Sequence, residues 1–141
     1  MLVALAQVPG YALAAYGVER WGRRPTLIEF LLLSSAACLL FVVADDPSAI
    51  GASILMMSFA LLGTWGALYA FTPELFPTAT RATEMGTAGA MAWLGGLLAP
   101  SALAVVVAQG FGVAVALFSV LLLLAAAAFL IDAETRGEAL A

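Results

Sequence analysis

Residues 111–131 read FGVAVALFSVLLLLAAAAFLI, an uncharged stretch made almost entirely of apolar residues. A helix needs about 20 such residues to cross the roughly 30 Å hydrocarbon core of a bilayer, so this stretch predicts a membrane span. Its continuous run of Leu and Ala lacks the period-two alternation of a transmembrane strand. Residues 1–18, 26–44, 48–71 and 85–108 have the same apolar character. We therefore predict an all-α, polytopic helical bundle with five transmembrane helices.

The composition points to lipid rather than water around the chain. Of its 141 residues, 65% are hydrophobic and 10% are charged, whereas about a quarter of the residues of a soluble domain are charged. The net charge of −4 and the lack of a basic run argue against nucleic acid as a partner, because nothing would neutralise its phosphates. The chain has no His and one cysteine, Cys38, which argues against Ser–His catalysis and metal clusters. We expect no cofactor, no metal and no enzymatic activity.

The charges between the spans predict the orientation. Five spans place every basic residue on one side of the membrane, in the segments that hold Arg20, Arg23, Arg24, Arg81 and Arg136. The segments on the other side hold Asp45, Asp46 and Gln109, with no basic residue. Basic loops preferentially face the cytoplasm, so we predict cytoplasmic Arg-bearing loops, an exterior amino terminus and a cytoplasmic tail over residues 132–141. The plasma membrane is the expected location.

The first predicted span has two interpretations. A cleaved signal peptide would need a basic amino-terminal region, and no Lys or Arg precedes this run. We favour a membrane helix kinked at Pro9-Gly10, where neighbouring helices can satisfy the freed carbonyl group. An exterior amino terminus directly inside a hydrophobic run further predicts that at least one earlier span is missing. The chain is then a carboxyl-terminal fragment without its amino-terminal half.

Small residues recur within three of the spans. Gly10 and Ala14 lie in the first span, and Gly63 and Gly66 in the third. The fourth is the richest, with Gly86, Ala88, Gly89, Ala90, Ala92, Gly95 and Gly96. Small residues let membrane helices approach closely, so we expect tight packing here. The alternative for the fourth span is that it lines a solute pathway and bends at Pro100.

Polar and aromatic residues at membrane depth are the candidate solute contacts. No charged residue lies at the centre of a span, so the chain provides no proton-coupling acid of its own. The deep hydroxyl groups, such as Ser34 and Ser35, are expected to bond to their own helix or to a neighbour. A binding pocket uses amide groups, hydroxyl groups and aromatic rings to orient a small polar solute. The residues that could contact such a solute are Gln7, Thr64, Trp65, Tyr69 and Trp93.

Three predicted cytoplasmic segments carry charged motifs, and together they resemble the major facilitator superfamily. The resemblance is to the carboxyl-terminal half of its sugar-porter-like and organic-solute symporter branches. The family loop between helices eight and nine is matched by Glu19, Arg20, Gly22, Arg23 and Arg24. The pattern after helix ten is matched by Glu74, Leu75, Phe76, Pro77 and Arg81. The pattern after helix twelve is matched by Glu134, Thr135, Arg136 and Gly137, with Ala133 in place of the family's Pro.

The resemblance implies that the five spans are family helices eight to twelve. It also implies two six-helix halves that rock about a central site and open it to one side at a time. Where sugar porters usually carry Pro-Trp in helix ten, this chain has Leu68 and Tyr69, which disfavours a hexose substrate. The segment from residue 68 to residue 81 looks more like branches that carry organic acids, nicotinate-like compounds or other metabolites.

The resemblance also suggests a role for the charged motifs. We hypothesise that one inter-helix charge cluster holds the outward-open state and breaks on inward opening, and that it consists of Glu19, Arg20, Arg24, Glu74, Arg81 and Glu134. Gly22, Arg23, Pro77 and Arg136 complete this predicted gating set. The alternative is that the arginines only orient the helices and anchor them at the interface.

These observations predict transmembrane transport of a small organic solute by alternating access, as part of a major facilitator secondary transporter. Symport with a coupling proton is the expected mode. The alternative is a small polytopic protein that acts as a structural or interaction subunit, although such a protein has no reason to repeat three charged motifs at successive turns. A channel is disfavoured because no ring-forming filter signal occurs.

Overall fold

The computed structural model describes residues 2–131 and contains five long α-helices. They are α1 (Leu2–Arg20), α2 (Arg23–Val43), α3 (Pro47–Phe71), α4 (Arg81–Val107) and α5 (Phe111–Phe129), with a short 3₁₀ helix η1 (Thr72–Leu75) after α3. No strand occurs within this range, which confirms the predicted all-α class. The predicted tail, including Glu134 and Arg136, lies outside the described residues.

Four of these helices are long and apolar enough to cross a membrane. They are α2, α3 continued through η1, α4 and α5. They coincide with the predicted spans over residues 26–44, 48–71, 85–108 and 111–131. Helix α1 has the required length, but Gln7, Pro9 and Glu19 lower its hydropathy, and it is not one of the four. The predicted span over residues 1–18 is therefore matched by a helix, though not by one of clear membrane-spanning composition.

Helix α3 packs against both α1 and α2, and α2 packs in turn against α5. The buried core between these four helices consists of Val18, Leu27, Leu31, Ala67, Phe71 and Ala126. The Phe71 ring also meets the Phe129 ring edge to face, at a centroid distance of 5.7 Å. Helix α4 differs from the other helices, because within residues 2–131 it contacts only α5 and η1 and none of its residues is buried.

Glycines permit the close approach of α3 to its two neighbours. A Cβ atom on Gly10 would overlap the backbone oxygen of Phe59, and one on Gly63 would overlap the Phe30 ring. A Cβ atom on Gly66 would lie 3.1 Å from Tyr11 and 3.3 Å from Ala14. The expectation of close packing through small residues thus holds for α1 and α3. In α4 it is wrong within residues 2–131: Cβ atoms added at Gly86, Gly89, Gly95 and Gly96 would have no neighbour within 4 Å.

Buried hydroxyl groups join helices at membrane depth. The Ser35 and Ser119 hydroxyl oxygens lie 2.7 Å apart, and each hydroxyl also reaches the other residue's carbonyl oxygen, at 3.1 and 3.2 Å. These contacts connect α2 to α5. Ser34 donates instead to Phe30 O of its own helix, at 2.7 Å. Both outcomes agree with the expectation that deep serines bond to a neighbour or to their own backbone.

Two local features fix where helices begin. Gly22 precedes α2 with a φ of 110°, a conformation that favours glycine and permits the tight reversal after α1. Asp46 is the N-cap of α3: its side chain accepts hydrogen bonds from the Ala49 amide at 2.9 Å and the Ser48 hydroxyl at 2.7 Å. The hydrogen bond from Ser48, and to a smaller extent that from Ala49, lowers the pKa of the Asp46 carboxyl group.

Candidate functional site

A cleft between α3 and α4 brings together three of the predicted solute-contact residues. Its volume is about 170 Å³, and we call it the aromatic cleft; it is lined by Trp65, Leu68, Tyr69, Thr72, Met85, Ala88, Gly89, Ala92 and Trp93. The Trp65 and Tyr69 rings stack, with centroids 5.4 Å apart and planes at 29°. Trp65 is 46% exposed, Tyr69 61% and Trp93 83%, so all three rings are accessible.

Helical spacing explains how these residues come to line one space. Trp65, Leu68, Tyr69 and Thr72 follow one another at intervals of three, one and three residues, which places them on one face of α3 and η1. The α4 residues of the cleft, Met85 to Trp93, follow the same spacing. The two helices therefore present one face each to the same cleft.

The aromatic cleft is lined by uncharged side chains, several of them aromatic. None of its lining residues is charged, and three of them carry aromatic rings. Aromatic faces bind other rings by offset stacking or edge-to-face contact. The Thr72 hydroxyl donates to Leu68 O at 2.8 Å, so its oxygen is left to accept a hydrogen bond. The small side chains of α4 leave the space that a ring would occupy.

Two predicted contact residues lie elsewhere. Thr64 is on α3, where its hydroxyl donates to Ala60 O at 3.0 Å and lies 3.4 Å from the Ser34 hydroxyl. Gln7 is on α1 and is not part of the cleft lining. Sequence reasoning missed Leu68, Thr72 and Met85 as lining residues. The helical spacing from Trp65 to Thr72 was the signal that could have identified the α3 residues.

The first two charged motifs meet in the structure. The guanidinium group of Arg23, at the start of α2, forms an ion pair with the carboxylate of Glu74 in η1. The side chains of Arg23 and Glu74 are 26% and 15% exposed. This contact joins the beginning of α2 to the end of α3. The ion pair joins Glu74, a member of the hypothesised cluster, to Arg23, which belongs to the wider predicted gating set.

Arg24 contacts the end of α5. Its Nε donates to Phe129 O at 2.7 Å, and its Nη2 donates to Leu130 O. The last carbonyl groups of a helix lack partners within the helix and carry partial negative charge, so a guanidinium group there is favourable. Arg24 thus fixes the start of α2 against the end of α5.

Five further members of the predicted gating set lie within the described residues, namely Glu19, Arg20, Gly22, Pro77 and Arg81. Arg81 donates to Phe76 O at 3.1 Å and lies 3.5 Å from the Thr78 hydroxyl, both within its own segment. Glu19 and Arg20 are exposed at the end of α1. Gly22 provides the reversal, and Pro77 O accepts hydrogen bonds from the backbone amides of Thr80 and Arg81.

Comparison with known proteins identifies the family. The model of the Major Facilitator Superfamily matches residues 1–140. The chain belongs to this superfamily. It is an integral membrane protein, and its family is one of transporters rather than enzymes, as the motifs predicted.

Curated relatives extend this comparison. NiaP of Bacillus subtilis is 39% identical over 93% of this chain, and the niacin transporter NiaP of Acinetobacter baylyi is 38% identical over 99% of it. The synaptic vesicle 2-related protein of Rattus norvegicus is 33% identical over 96% of the chain. The aligned regions are 33% of each NiaP protein and 25% of the rat protein. The chain therefore spans a third or less of the length of these relatives.

Proposed function

We propose that this chain is the carboxyl-terminal portion of a major facilitator transporter, and that it contributes the aromatic cleft to the binding site of a small solute with a planar ring. The observation that carries this proposal is the convergence of Trp65, Tyr69 and Trp93 from two helices on one uncharged cleft. A ring could stack on these faces while its polar substituent bonds to Thr72 or to water. The relative from Acinetobacter baylyi is named a niacin transporter, which supports a solute of this class.

The proposed mechanism is alternating access, in which an amino-terminal half covers the cleft and opens it to one side of the membrane at a time. On this proposal the contacts of Arg23 and Arg24 hold the ends of α2, α3 and α5 together on the cytoplasmic side while the site is open outward. Each such contact contributes about 1 kcal/mol or less to stability. A contact this weak can break and re-form in every transport cycle. Proton coupling in the plasma membrane completes the proposal, with the coupling acid outside this chain.

Ring binding can be tested through the intrinsic fluorescence of the tryptophans. The chain has three tryptophans, of which Trp65 and Trp93 line the aromatic cleft and Trp21 does not. A Trp21→Phe variant therefore reports on the cleft alone. We expect nicotinate to quench its fluorescence saturably and glucose at the same concentration to leave it unchanged.

Two further variants distinguish cleft binding from quenching by collision. In the Trp21→Phe background, Tyr69→Ala should weaken nicotinate binding about tenfold, because a lost aromatic contact costs on the order of 1 kcal/mol or more. Thr64→Ala, which changes a residue outside the cleft, should leave the affinity unchanged. Equal, non-saturating quenching in all three variants would refute the proposed site.

A further inference from the structure

Gly89 occupies a position that differs from that of the other glycines of α4. It lines the aromatic cleft and is half-buried, whereas Gly86, Gly95 and Gly96 are exposed and do not line the cleft. A Cβ atom added at Gly89 would nevertheless meet nothing within 4 Å in the described part of the chain. Gly89 is therefore sheltered by the walls of the cleft and not by a side chain packed against it, and the space over its Cα atom belongs to the cleft.

Helix packing within residues 2–131 gives no reason for a glycine at this position. Glycine inside a helix is less favourable than alanine, because its backbone loses more conformational freedom on folding. At Gly63 of α3 this cost is offset by close packing, since a Cβ atom there would overlap the Phe30 ring. Gly89 has no such contact. Glycine also serves where a backbone must come close to a ligand, and the location of Gly89 in the cleft agrees with that use.

The α4 side of the aromatic cleft is shallow in its middle and bounded by large side chains at both ends. Ala88, Gly89 and Ala92 are the small residues, and they lie between Met85 and Trp93 along the helix. The α3 side of the cleft presents the two stacked rings, whose planes are 29° apart. A flat ring that lies between these two sides contacts aromatic faces on one side and the helix backbone on the other.

We propose that Gly89 is a specificity-determining residue of the aromatic cleft, because it lets a planar ring lie directly against the backbone of α4. This inference rests on the proposed function and adds the property that the cleft selects, namely a flat ring rather than a puckered one. A saturated six-membered ring is thicker than an aromatic ring and does not fit between the Gly89 backbone and the stacked rings. A methyl group on residue 89 would project about 1.5 Å, the length of a C–C bond, into the same space.

Gly89→Ala and Gly95→Ala form a matched pair of variants, since each adds one methyl group to an α4 glycine that has no neighbour within 4 Å. In the Trp21→Phe background, we expect Gly89→Ala to weaken nicotinate binding about tenfold, as one methyl group does in an apolar pocket. Gly95→Ala should leave the affinity unchanged. Neither variant should have a lower Tm, because alanine is the better helix former. Weaker binding without a lower Tm distinguishes a role in the cleft from a role in folding.

A pair of solutes tests the selection of flat rings. Benzoate and cyclohexanecarboxylate carry the same charge on a flat and on a puckered ring, and both are measured as competitors of the nicotinate quench. In the Trp21→Phe chain, we expect benzoate to compete about tenfold better than cyclohexanecarboxylate. In Gly89→Ala this preference should nearly disappear, because benzoate binding weakens. In Gly95→Ala it should remain.

The outcomes separate this inference from the proposed function. Saturable quenching by nicotinate with the same affinity in Gly89→Ala as in its background would overturn the role of Gly89 and leave the proposed function intact. A tenfold preference for benzoate that survives Gly89→Ala would also overturn it. Without saturable quenching in the Trp21→Phe chain itself, the proposed function and the role of Gly89 are both wrong.

Discussion

Adjacent arginines at the start of α2 make different contacts although their sequence environments are nearly the same. Arg23 pairs with the Glu74 carboxylate, whereas Arg24 donates to the last carbonyl groups of α5. A guanidinium group has several donors in a fixed plane and serves both purposes. Successive residues of a helix are rotated by about 100° about its axis. Arg23 is therefore directed toward η1 and Arg24 toward α5. The pairing of Arg23 with Glu74 is therefore a property of helix geometry and not of the motif alone.

A double-mutant cycle measures the ion pair between Arg23 and Glu74. We expect Arg23→Gln and Glu74→Gln each to lower the free energy of unfolding by about 1 kcal/mol, because each removes one side of a largely buried ion pair. The double variant should cost less than the sum of the two. Denaturation in mixed micelles, followed by circular dichroism, provides the measurement. Strict additivity would contradict a direct contact.

The N-cap of α3 predicts a specific pH dependence. Hydrogen bonds from Ser48 and Ala49 lower the pKa of Asp46, so the carboxylate form is stabilised by folding. This stabilisation is fully present above the pKa of the unfolded chain and is lost as the pH falls through the lower folded value. Asp46→Asn keeps a capping side chain but removes the titration. The decrease in Tm between pH 7 and pH 3 should therefore be smaller in Asp46→Asn than in the unmodified chain.

Asp45→Asn is the matched control for that measurement. It removes the same charge from the neighbouring residue, which makes no capping bond among the described residues. Its Tm should follow the pH in the same way as that of the unmodified chain. If the two variants lose the same part of the pH dependence, general charge repulsion rather than the cap is responsible.

At the scale of helices, close packing depends on which glycines have a neighbour. Gly10→Ala would place a methyl group on the backbone oxygen of Phe59, which cannot move without moving α3. We expect a loss of about 1 to 3 kcal/mol in the free energy of unfolding, as in other overpacked sites. Gly95→Ala in α4 is the control, since its methyl group meets nothing and alanine favours the helix. Equal destabilisation by both changes would contradict the α1–α3 contact.

The sequence predicted the helices well and their partners poorly. Charges, prolines and glycines end the apolar runs, so the spans over residues 26–44 and 111–131 lie close to α2 and α5. The glycines of α4 look like Gly63 and Gly66 of α3, but within residues 2–131 a Cβ atom would meet a neighbour at those two and not at the glycines of α4. A run of small residues does not say which helix lies opposite. Three of the five predicted solute-contact residues line the aromatic cleft, and the other two lie elsewhere. Residue type alone does not say which way a helix turns a side chain. Hydrophobic character identifies a span, whereas the rotation of one helix against another decides which side chains share a cleft.

At the scale of the whole molecule, the orientation predicted from the arginines can be tested at the two ends of α4. Cys38 is buried and is first replaced by Ala, and single cysteines are then introduced as Ala79→Cys and Gln109→Cys, both at exposed positions. We expect a membrane-impermeant maleimide added to intact cells to label the cysteine at position 109 and not the one at position 79. Labelling of both from the same side would contradict a span over α4 and the orientation given by the positive-inside rule.

Solute protection of a cysteine in the aromatic cleft tests the central claim most directly. Ala92 lines the cleft and Ala99 lies on the same helix outside it, and both are exposed. In the Cys38→Ala background, we expect nicotinate to slow the alkylation of Ala92→Cys severalfold and to leave that of Ala99→Cys unchanged. Glucose should protect neither. Alkylation of Ala92→Cys at the same rate with and without nicotinate, or equal protection at both positions, would contradict a solute site between α3 and α4.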